Sequence, residues 1–85
     1  MKLRLLFFAS LREKLGSGAE EVDVPPTVTT VGALREHLRG RGGAWAEVFA
    51  PTRAVRAALN QSMVQPQAHI KAGDEVAFFP PVTGG

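Results

Sequence analysis

The sequence DEVAFFPPVTGG, residues 74–85, contains a predicted strand, a diproline and a Gly-Gly end in close succession. The β-branched and aromatic run of residues 75–79 follows a Gly-Asp turn signal, a pattern that predicts a strand. Pro80 and Pro81 are expected to end that strand, because proline has no N–H for a sheet ladder and its ring holds φ at about −65°. The chain should therefore leave the sheet in a fixed, extended direction.

The residues after the diproline form a predicted tail of Val82, Thr83, Gly84 and Gly85. Four residues at about 3.3 Å each span about 13 Å, which is far enough to enter the cleft of another protein. Because glycine lacks a Cβ atom, the last two residues can pass through a channel too narrow for other side chains. A Gly-Gly end alone is typical of an idle terminus. Its position after a strand and a diproline indicates instead that the Gly85 carboxylate is the working group.

The length and composition indicate one small domain. Eighty-five residues can hold a single hydrophobic core. We therefore expect residues 1–81 to fold and residues 82–85 to form a flexible tail. The chain is 45% hydrophobic and 21% charged, and no stretch approaches the roughly 20 apolar residues of a membrane span. Lys2 and Arg4 alternate with leucines, unlike a secretory signal, which predicts a cytoplasmic protein with no membrane association.

Composition also argues against several function classes. The chain has no cysteine, so any sulfur that it carries has to sit on its terminus. A formal net charge of +2 is weak evidence for nucleic acid, and we expect no such partner. His37 and His69 have no further ligands at metal-binding spacing, so we expect no metal and no bound cofactor. The sequence contains no recognisable catalytic set, which predicts a chain that is not catalytic alone.

Hydrophobic periodicity predicts an α+β domain with helices on one face of a single sheet. The first strand, residues 2–8, and the last are the most apolar, so we expect them to be adjacent, parallel and central. In the main helix, Val31, Leu34 and Leu38 should face the core, while Arg35, Glu36 and Arg39 face water. The other expected features are a helix over 10–15 capped by Ser10 and stopped by Gly16, a strand over 20–24, a cap at Thr29 or Thr30, a helical turn over 45–49, and strands over 54–59 and 62–64 joined at Asn60-Gln61.

The sheet face opposite the helices is the predicted partner interface. If Val76 and Phe78 point to the core, Phe79 lies on the other face, which also receives Leu6 and Phe8. Met63, in the short strand, is expected to join them. Burying Phe8, Phe79 and Met63 in a partner contributes roughly 1.5–3 kcal/mol each, enough to dock a tail carrier on its enzyme. An ordinary core shifted by one residue is the alternative, because a slip of one position exchanges the two faces.

Three segments resemble the small, sulfur-carrying subunit of molybdopterin synthase: DEVAFFPPVTGG, the N-terminal LLFFASLRE of residues 5–13, and ALNQ of residues 58–61. This resemblance runs the length of the chain and is most specific in the tail. It implies a ubiquitin-like β-grasp fold: a mixed sheet with central parallel first and last strands, one main helix packed on one face, and a flexible C-terminal tail. It also implies a hydrophobic contact with the larger subunit through Leu6, Phe8, Met63 and Phe79.

The resemblance further implies the chemistry. An E1-like adenylating enzyme consumes ATP to convert the Gly85 carboxylate to an acyl-adenylate, and a sulfur donor then displaces AMP to leave a thiocarboxylate. The tail, from Pro80 and Pro81 to Gly85, enters the active site of the large subunit, in a complex expected to be a two-plus-two heterotetramer. There the sulfur attacks the cyclic pyranopterin precursor. The alternatives are a carrier for thiamine synthesis or tRNA thiolation, a ubiquitin-like modifier of lysines, and a binding module whose tail is incidental.

Overall fold

The computed structural model describes residues 1–81; the predicted tail, residues 82–85, lies outside the described residues. The elements in chain order are β1 (Lys2–Phe7), α1 (Ala9–Leu15), β2 (Ala19–Asp23), α2 (Val31–Arg39), α3 (Gly43–Val48), β3 (Arg56–Leu59), β4 (Ser62–Val64) and β5 (Glu75–Phe79). The sheet order is β2-β1-β5-β3-β4. β1 and β5 pair in parallel, and the other neighbouring strands are antiparallel. The predicted central parallel pair is thereby confirmed.

The hydrophobic core lies between one face of the sheet and the helices. Leu3, Leu5 and Phe7 alternate with exposed or half-buried residues along β1, and all three are buried. β5 contributes Val76 and Phe78 to the same face, as expected. An aromatic cluster fills the centre: the ring centroids of Phe78 and Phe7 both lie within 6.4 Å of Phe49, which follows α3. The register of both central strands is therefore the predicted one.

Helix α2 lies against the core through the predicted apolar stripe. Val31, Leu34 and Leu38 are all buried. Thr30, one of the two expected caps, accepts a hydrogen bond of 3.1 Å on its Oγ1 from the backbone N–H of Ala33. A short helix of this kind depends on packing for its stability, because isolated helices below about 12 residues are marginal in water.

Two local predictions were wrong. Ser10 does not cap α1: the helix begins at Ala9, and its N-cap is Phe8, whose side chain makes no capping hydrogen bond. Arg35 does not simply face water. Its guanidinium reaches across to the segment after α3 and donates to the carbonyl oxygens of Ala50 and Arg53 at 2.6 and 2.7 Å. A long side chain on a helix flank can satisfy backbone groups of a neighbouring segment, which periodicity alone does not reveal.

Strand lengths differ from the expectations by a few residues. β1 ends at Phe7, β2 is displaced by one position, and β3 begins at Arg56 rather than at residue 54. The predicted joint between β3 and β4 is a two-residue turn in which Asn60 and Gln61 both have positive φ, 49° and 71°. Such a turn matches the right-handed twist of the two strands that it joins. Within residues 1–81, no helix has the length and apolar character needed to cross a membrane.

Candidate functional site

The end of β5 is the centre of the candidate site. Phe79 is the last residue of this strand, and the half-buried Pro80 and Pro81 follow it. The backbone N–H of Phe8 donates to the carbonyl oxygen of Phe78 at 3.1 Å, so the two central strands remain joined to their ends. Since prolines offer no N–H, this ladder stops there. The chain thus continues toward the predicted tail from the middle of the sheet.

The open face of the sheet carries an apolar patch beside this exit, formed by Leu6, Phe8, Met63 and Phe79. Phe8 and Met63 are the large hydrophobic side chains that stand out in solvent, with 46% and 56% of their surface exposed. Leu6 and Phe79 are half-buried. The structure therefore places all four predicted residues on the face opposite the core; their contact with a partner stays a prediction.

The strand register explains why the apolar patch is continuous. Leu6 lies opposite Ala77, Ala77 opposite Ala58, and Ala58 opposite Met63, so one row of side chains crosses four strands. Residues directly opposite in neighbouring strands share a face of the sheet. Because the two alanines have small side chains, they form a depression in the surface between the larger side chains of Leu6 and Met63. The result is a shallow apolar surface across the four strands.

A sharp turn between β1 and α1 determines the position of Phe8, which follows the last residue of β1. Ala9 has a φ of 54°, in the left-handed region of backbone conformation that residues other than glycine rarely adopt. The chain therefore leaves the sheet direction directly after Phe8 and enters the helix. This turn places the Phe8 ring at the rim of the sheet, where it remains about half exposed.

A buried carboxylate organises the opposite end of β5. Asp74, just before the strand, is 4% exposed. Its Oδ1 accepts hydrogen bonds from the side chains of Asn60 at 3.0 Å and Lys71 at 3.2 Å, and its Oδ2 accepts from the Lys71 backbone N–H at 2.9 Å. Burial acts to raise the pKa of Asp74, but the hydrogen bonds from Asn60 and Lys71 outweigh it and hold that pKa below its usual value. The network ties the β3–β4 turn to the start of the strand that leads to the tail.

The charged residues Arg39 and Arg41 are paired with other side chains of the domain. Arg39 makes two hydrogen bonds to Glu36 within α2. Arg41 pairs with Glu20 at 2.6 Å and stacks over the Trp45 ring at 4.4 Å. Arg39 and Arg41 are therefore engaged in separate contacts and do not form one basic patch. Among residues 1–81, no group of His, Asp and Glu side chains is arranged to hold a metal ion.

Sequence reasoning missed two features of the structure. Asn60 and Asp74 were recognised only as turn residues, and their mutual hydrogen bond depends on β3 and β5 being neighbours. The Arg35 contacts depend equally on how the segment after α3 folds back. The predicted tail residues Val82, Thr83, Gly84 and Gly85 lie outside the described residues, so the role of the Gly85 carboxylate stays a prediction.

The fold and the position of the apolar patch define the class of protein: a ubiquitin-like β-grasp domain with a central strand that leads directly to its C-terminal segment. Residues 5–85 match the ThiS family. The chain therefore belongs to the ThiS family, and the predicted fold is confirmed.

Relatives extend over nearly the whole chain. The molybdopterin synthase sulfur carrier subunit of Escherichia coli (strain K12) is 45% identical over an alignment of 85 positions that covers 98% of this chain and 99% of the relative. SAMP1, a small archaeal modifier protein of Haloferax volcanii, matches over 100% of both chains with 29% identity and a TM-score of 0.78. A chain in the complex of subunits 1 and 2 of the molybdopterin-converting factor of Helicobacter pylori 26695 matches over 100% of both chains, with 21% identity and a TM-score of 0.67, and shares the fold.

Proposed function

We propose that this protein is a sulfur carrier in molybdopterin biosynthesis and that its Gly85 carboxylate is the group that carries the sulfur. The observation that carries the proposal is the geometry of β5, which ends beside an exposed apolar patch and continues through Pro80 and Pro81 toward the tail. Full-length similarity to a carrier subunit at 45% identity supports it. The absence of cysteine from the sequence leaves the terminus as the place for sulfur.

The proposed chemistry begins with activation by another enzyme. A terminal carboxylate has an ordinary pKa of about 3.3–3.7, so it is ionised at neutral pH and is a poor electrophile. An adenylating enzyme joins a carboxylate oxygen to the α-phosphorus of ATP and releases pyrophosphate. A sulfur donor then attacks the acyl carbon and displaces AMP, which leaves a thiocarboxylate on Gly85. In this scheme the chain itself binds no cofactor. The activating enzyme consumes the ATP.

Transfer requires docking on a second protein, the large subunit of molybdopterin synthase. The apolar patch binds that subunit, and Gly84 and Gly85 enter its active site, where the sulfur attacks cyclic pyranopterin monophosphate. The chain acts there as a tethered substrate, because docking converts a bimolecular encounter into a positioned reaction. The catalytic acids and bases belong to the partner. A two-plus-two arrangement of small and large subunits completes the proposal.

Intact mass spectrometry tests the carrier role directly. The protein is incubated with ATP, the adenylating enzyme and a sulfide source. We expect a mass increase equal to the difference between sulfur and oxygen. The increase should be absent without ATP and absent when Gly85 is deleted. An unchanged mass in the complete reaction, with an enzyme shown to be active on another carrier, would contradict the proposal.

The similarity to SAMP1 favours one second candidate, a protein modifier. A modifier uses the same activated terminus but forms an amide with a lysine amine of a target protein. The two functions differ in the final acceptor. Recovery of this chain attached through Gly85 to lysines of other proteins would favour the modifier, whereas recovery only as the free thiocarboxylate would favour the carrier.

A further inference from the structure

A cleft of about 590 Å³ lies beside the apolar patch, between the N-terminal end of α2 and the β3–β4 end of the sheet. Its apolar floor consists of the half-buried Val55 and Val64 together with the core residues Val31, Ala57 and Phe78, which are at most 8% exposed. Met63 and Pro81 also line the cleft. It is therefore continuous with both the apolar patch and the diproline that leads to the tail.

The charged residues that line this cleft all have the same sign. They are Arg35, Arg53 and Arg56, and no Asp or Glu is among the described lining residues although the chain contains eight acidic residues. Three cations around an apolar floor create a positive potential that attracts carboxylates.

Two of these arginines are available to a ligand. Arg35 is engaged with backbone carbonyl oxygens. Arg53 is 52% exposed and lies 3.5 Å from Glu47, a weak surface pair that another carboxylate can replace. Arg56 is exposed at the start of β3 and makes no ion pair within residues 1–81. The mouth of the cleft therefore offers two guanidinium groups, each able to bind a carboxylate with two parallel hydrogen bonds.

We propose that this cleft binds an acidic, aliphatic peptide segment of the protein that receives the tail. The aliphatic side chains of the segment lie on the floor, and its carboxylates pair with Arg53 and Arg56. The inference rests on the proposed function, under which that protein is the large synthase subunit. A partner that covers Met63 and surrounds the tail reaches the cleft without any further movement, because Met63 and Pro81 are part of its wall.

A peptide fits this cleft better than a small free anion. Arg53 and Arg56 are exposed, so a small anion bound there stays largely hydrated and gains little from the exchange of water. The apolar floor adds binding free energy only to a ligand that has apolar groups of its own. Binding of AMP or inorganic phosphate in the cleft, at affinities above that of an acidic peptide, would overturn the assignment.

An NMR titration of the isolated protein tests the cleft without any partner enzyme. The probe is the capped peptide acetyl-Leu-Glu-Val-Glu-Leu-amide, with the matching glutamine peptide as its control. We expect saturable shifts at the amides of Gly32, Val55 and Val64, and binding of the glutamine peptide weaker by about tenfold, the effect of two partly exposed ion pairs. Equal binding of the two peptides, no binding, or shifts confined to the apolar patch would overturn the proposal.

Charge reversal then tests the cleft in the complex. The double variant Arg53→Glu with Arg56→Glu is expected to bind the large subunit with an association rate lower by about tenfold or more, and with a weaker dependence on salt. The control is the double variant Lys14→Glu with Arg39→Glu, which makes the same change in net charge on the exposed sides of α1 and α2, and it should bind like the unaltered protein.

This second experiment also separates the two proposals. Unaltered binding by the double variant overturns the cleft proposal and leaves the carrier role intact. If the unaltered protein itself neither binds the large subunit nor accepts sulfur, the proposed function fails, and the peptide titration still decides whether the cleft recognises acidic segments.

Discussion

The Asp74 carboxylate accepts a hydrogen bond of 3.0 Å from the side-chain amide of Asn60, across the boundary between the β3–β4 turn and β5. The same Asn60 side chain accepts a hydrogen bond of 3.0 Å from the backbone N–H of Glu75, and the backbone N–H of Asn60 donates to the carbonyl oxygen of Glu75 at 2.8 Å. One asparagine and one aspartate therefore fix where the central strand begins. Because the strand is short, its starting point also fixes where Phe79 and the diproline lie.

Removal of the Asp74 carboxylate should destabilise the domain. Asp74→Ala leaves the Asn60 amide and the Lys71 backbone N–H without their acceptor in a part-buried environment, and we expect a loss of about 2–3 kcal/mol in the free energy of unfolding. Urea denaturation monitored by Trp45 fluorescence measures it. Asp23→Ala is the matched control, since the Asp23 side chain is 71% exposed in its pair with the N-terminus, and its loss should be much smaller. Equal losses would contradict the role given to the network.

The same carboxylate predicts a pH dependence of stability. Hydrogen bonds hold the folded-state pKa of Asp74 below its ordinary value of about 3.9. Between those two pKa values the unfolded chain binds more protons than the folded chain, so stability rises with pH in that window. The stabilisation should be complete above about pH 5 and should decline as pH falls through the ordinary Asp pKa of about 3.9 and below it.

Urea denaturation of the unaltered protein and of Asp74→Asn between pH 2 and pH 6 tests this dependence, in a window set by the ordinary pKa of about 3.9. The difference in stability between the two proteins should shrink as the solution becomes more acidic. A difference that stays constant over the whole range would show that ionisation of Asp74 does not contribute.

A substitution at Phe8 separates partner binding from folding. Phe8 occupies the N-cap of α1 without a side-chain cap, and aspartate is among the preferred N-cap residues. Phe8→Asp should therefore fold with unchanged or slightly higher stability. The charge removes apolar contact from the patch, and we expect affinity for the large subunit to fall by about tenfold or more, equivalent to the roughly 1.5–3 kcal/mol from burying such a side chain.

Calorimetric titration measures the affinity, and Ala44→Asp is the control, because it adds the same charge on the exposed start of α3. Phe79→Asp is expected to weaken binding in the same way with the fold kept. An unfolded Phe79→Asp protein would show that this side chain supports the core, and full binding by Phe8→Asp would remove Phe8 from the interface.

The features that the sequence predicted well are those set by short-range periodicity. Alternation along β1 and β5 identified the buried face, and the spacing of Val31, Leu34 and Leu38 identified the face of α2 that packs on it. The two faces of a strand are distinguished by a period of two residues, so one correct register assigns every side chain of that strand. The exposure of Phe8 followed from the register of β1.

The features that the sequence could not supply depend on which elements become neighbours. The bond between Asn60 and Asp74 forms only because β3 pairs with β5, and this pairing is not encoded by either residue alone. Ser10 was a reasonable cap by residue type, but the sharp turn at Ala9 starts the helix one residue earlier and makes Phe8 the cap position. In both cases the arrangement of neighbouring elements, and not the local preference of the residue type, determined the contact that forms.

Arg35 offers a final test of the same argument, because its spacing indicated a solvated residue and its contacts indicate a structural one. Its guanidinium donates to the carbonyl oxygens of Phe49, Ala50 and Arg53 at 3.2, 2.6 and 2.7 Å. Burial lowers the pKa of Arg35, and the nearby Glu36 carboxylate partly opposes this. Arg35→Met keeps the aliphatic stem but removes all three hydrogen bonds. The Ala50 oxygen still accepts from the Arg53 backbone N–H at 2.9 Å, whereas the Phe49 and Arg53 oxygens lose the guanidinium donor. We expect the free energy of unfolding to fall by about 1–3 kcal/mol.

Thermal and urea denaturation measure this loss, with Arg39→Met as the control on the same helix. Within the described part of the chain, Arg39 pairs with Glu36 alone. This is a surface ion pair, which contributes little, so replacing Arg39 should leave stability nearly unchanged. Arg35→Lys should restore only part of the loss, since a single ammonium group cannot reproduce the planar arrangement of guanidinium donors that reaches three carbonyls. Equal stability of Arg35→Met and Arg39→Met would mean that the segment after α3 is held by its apolar contacts alone.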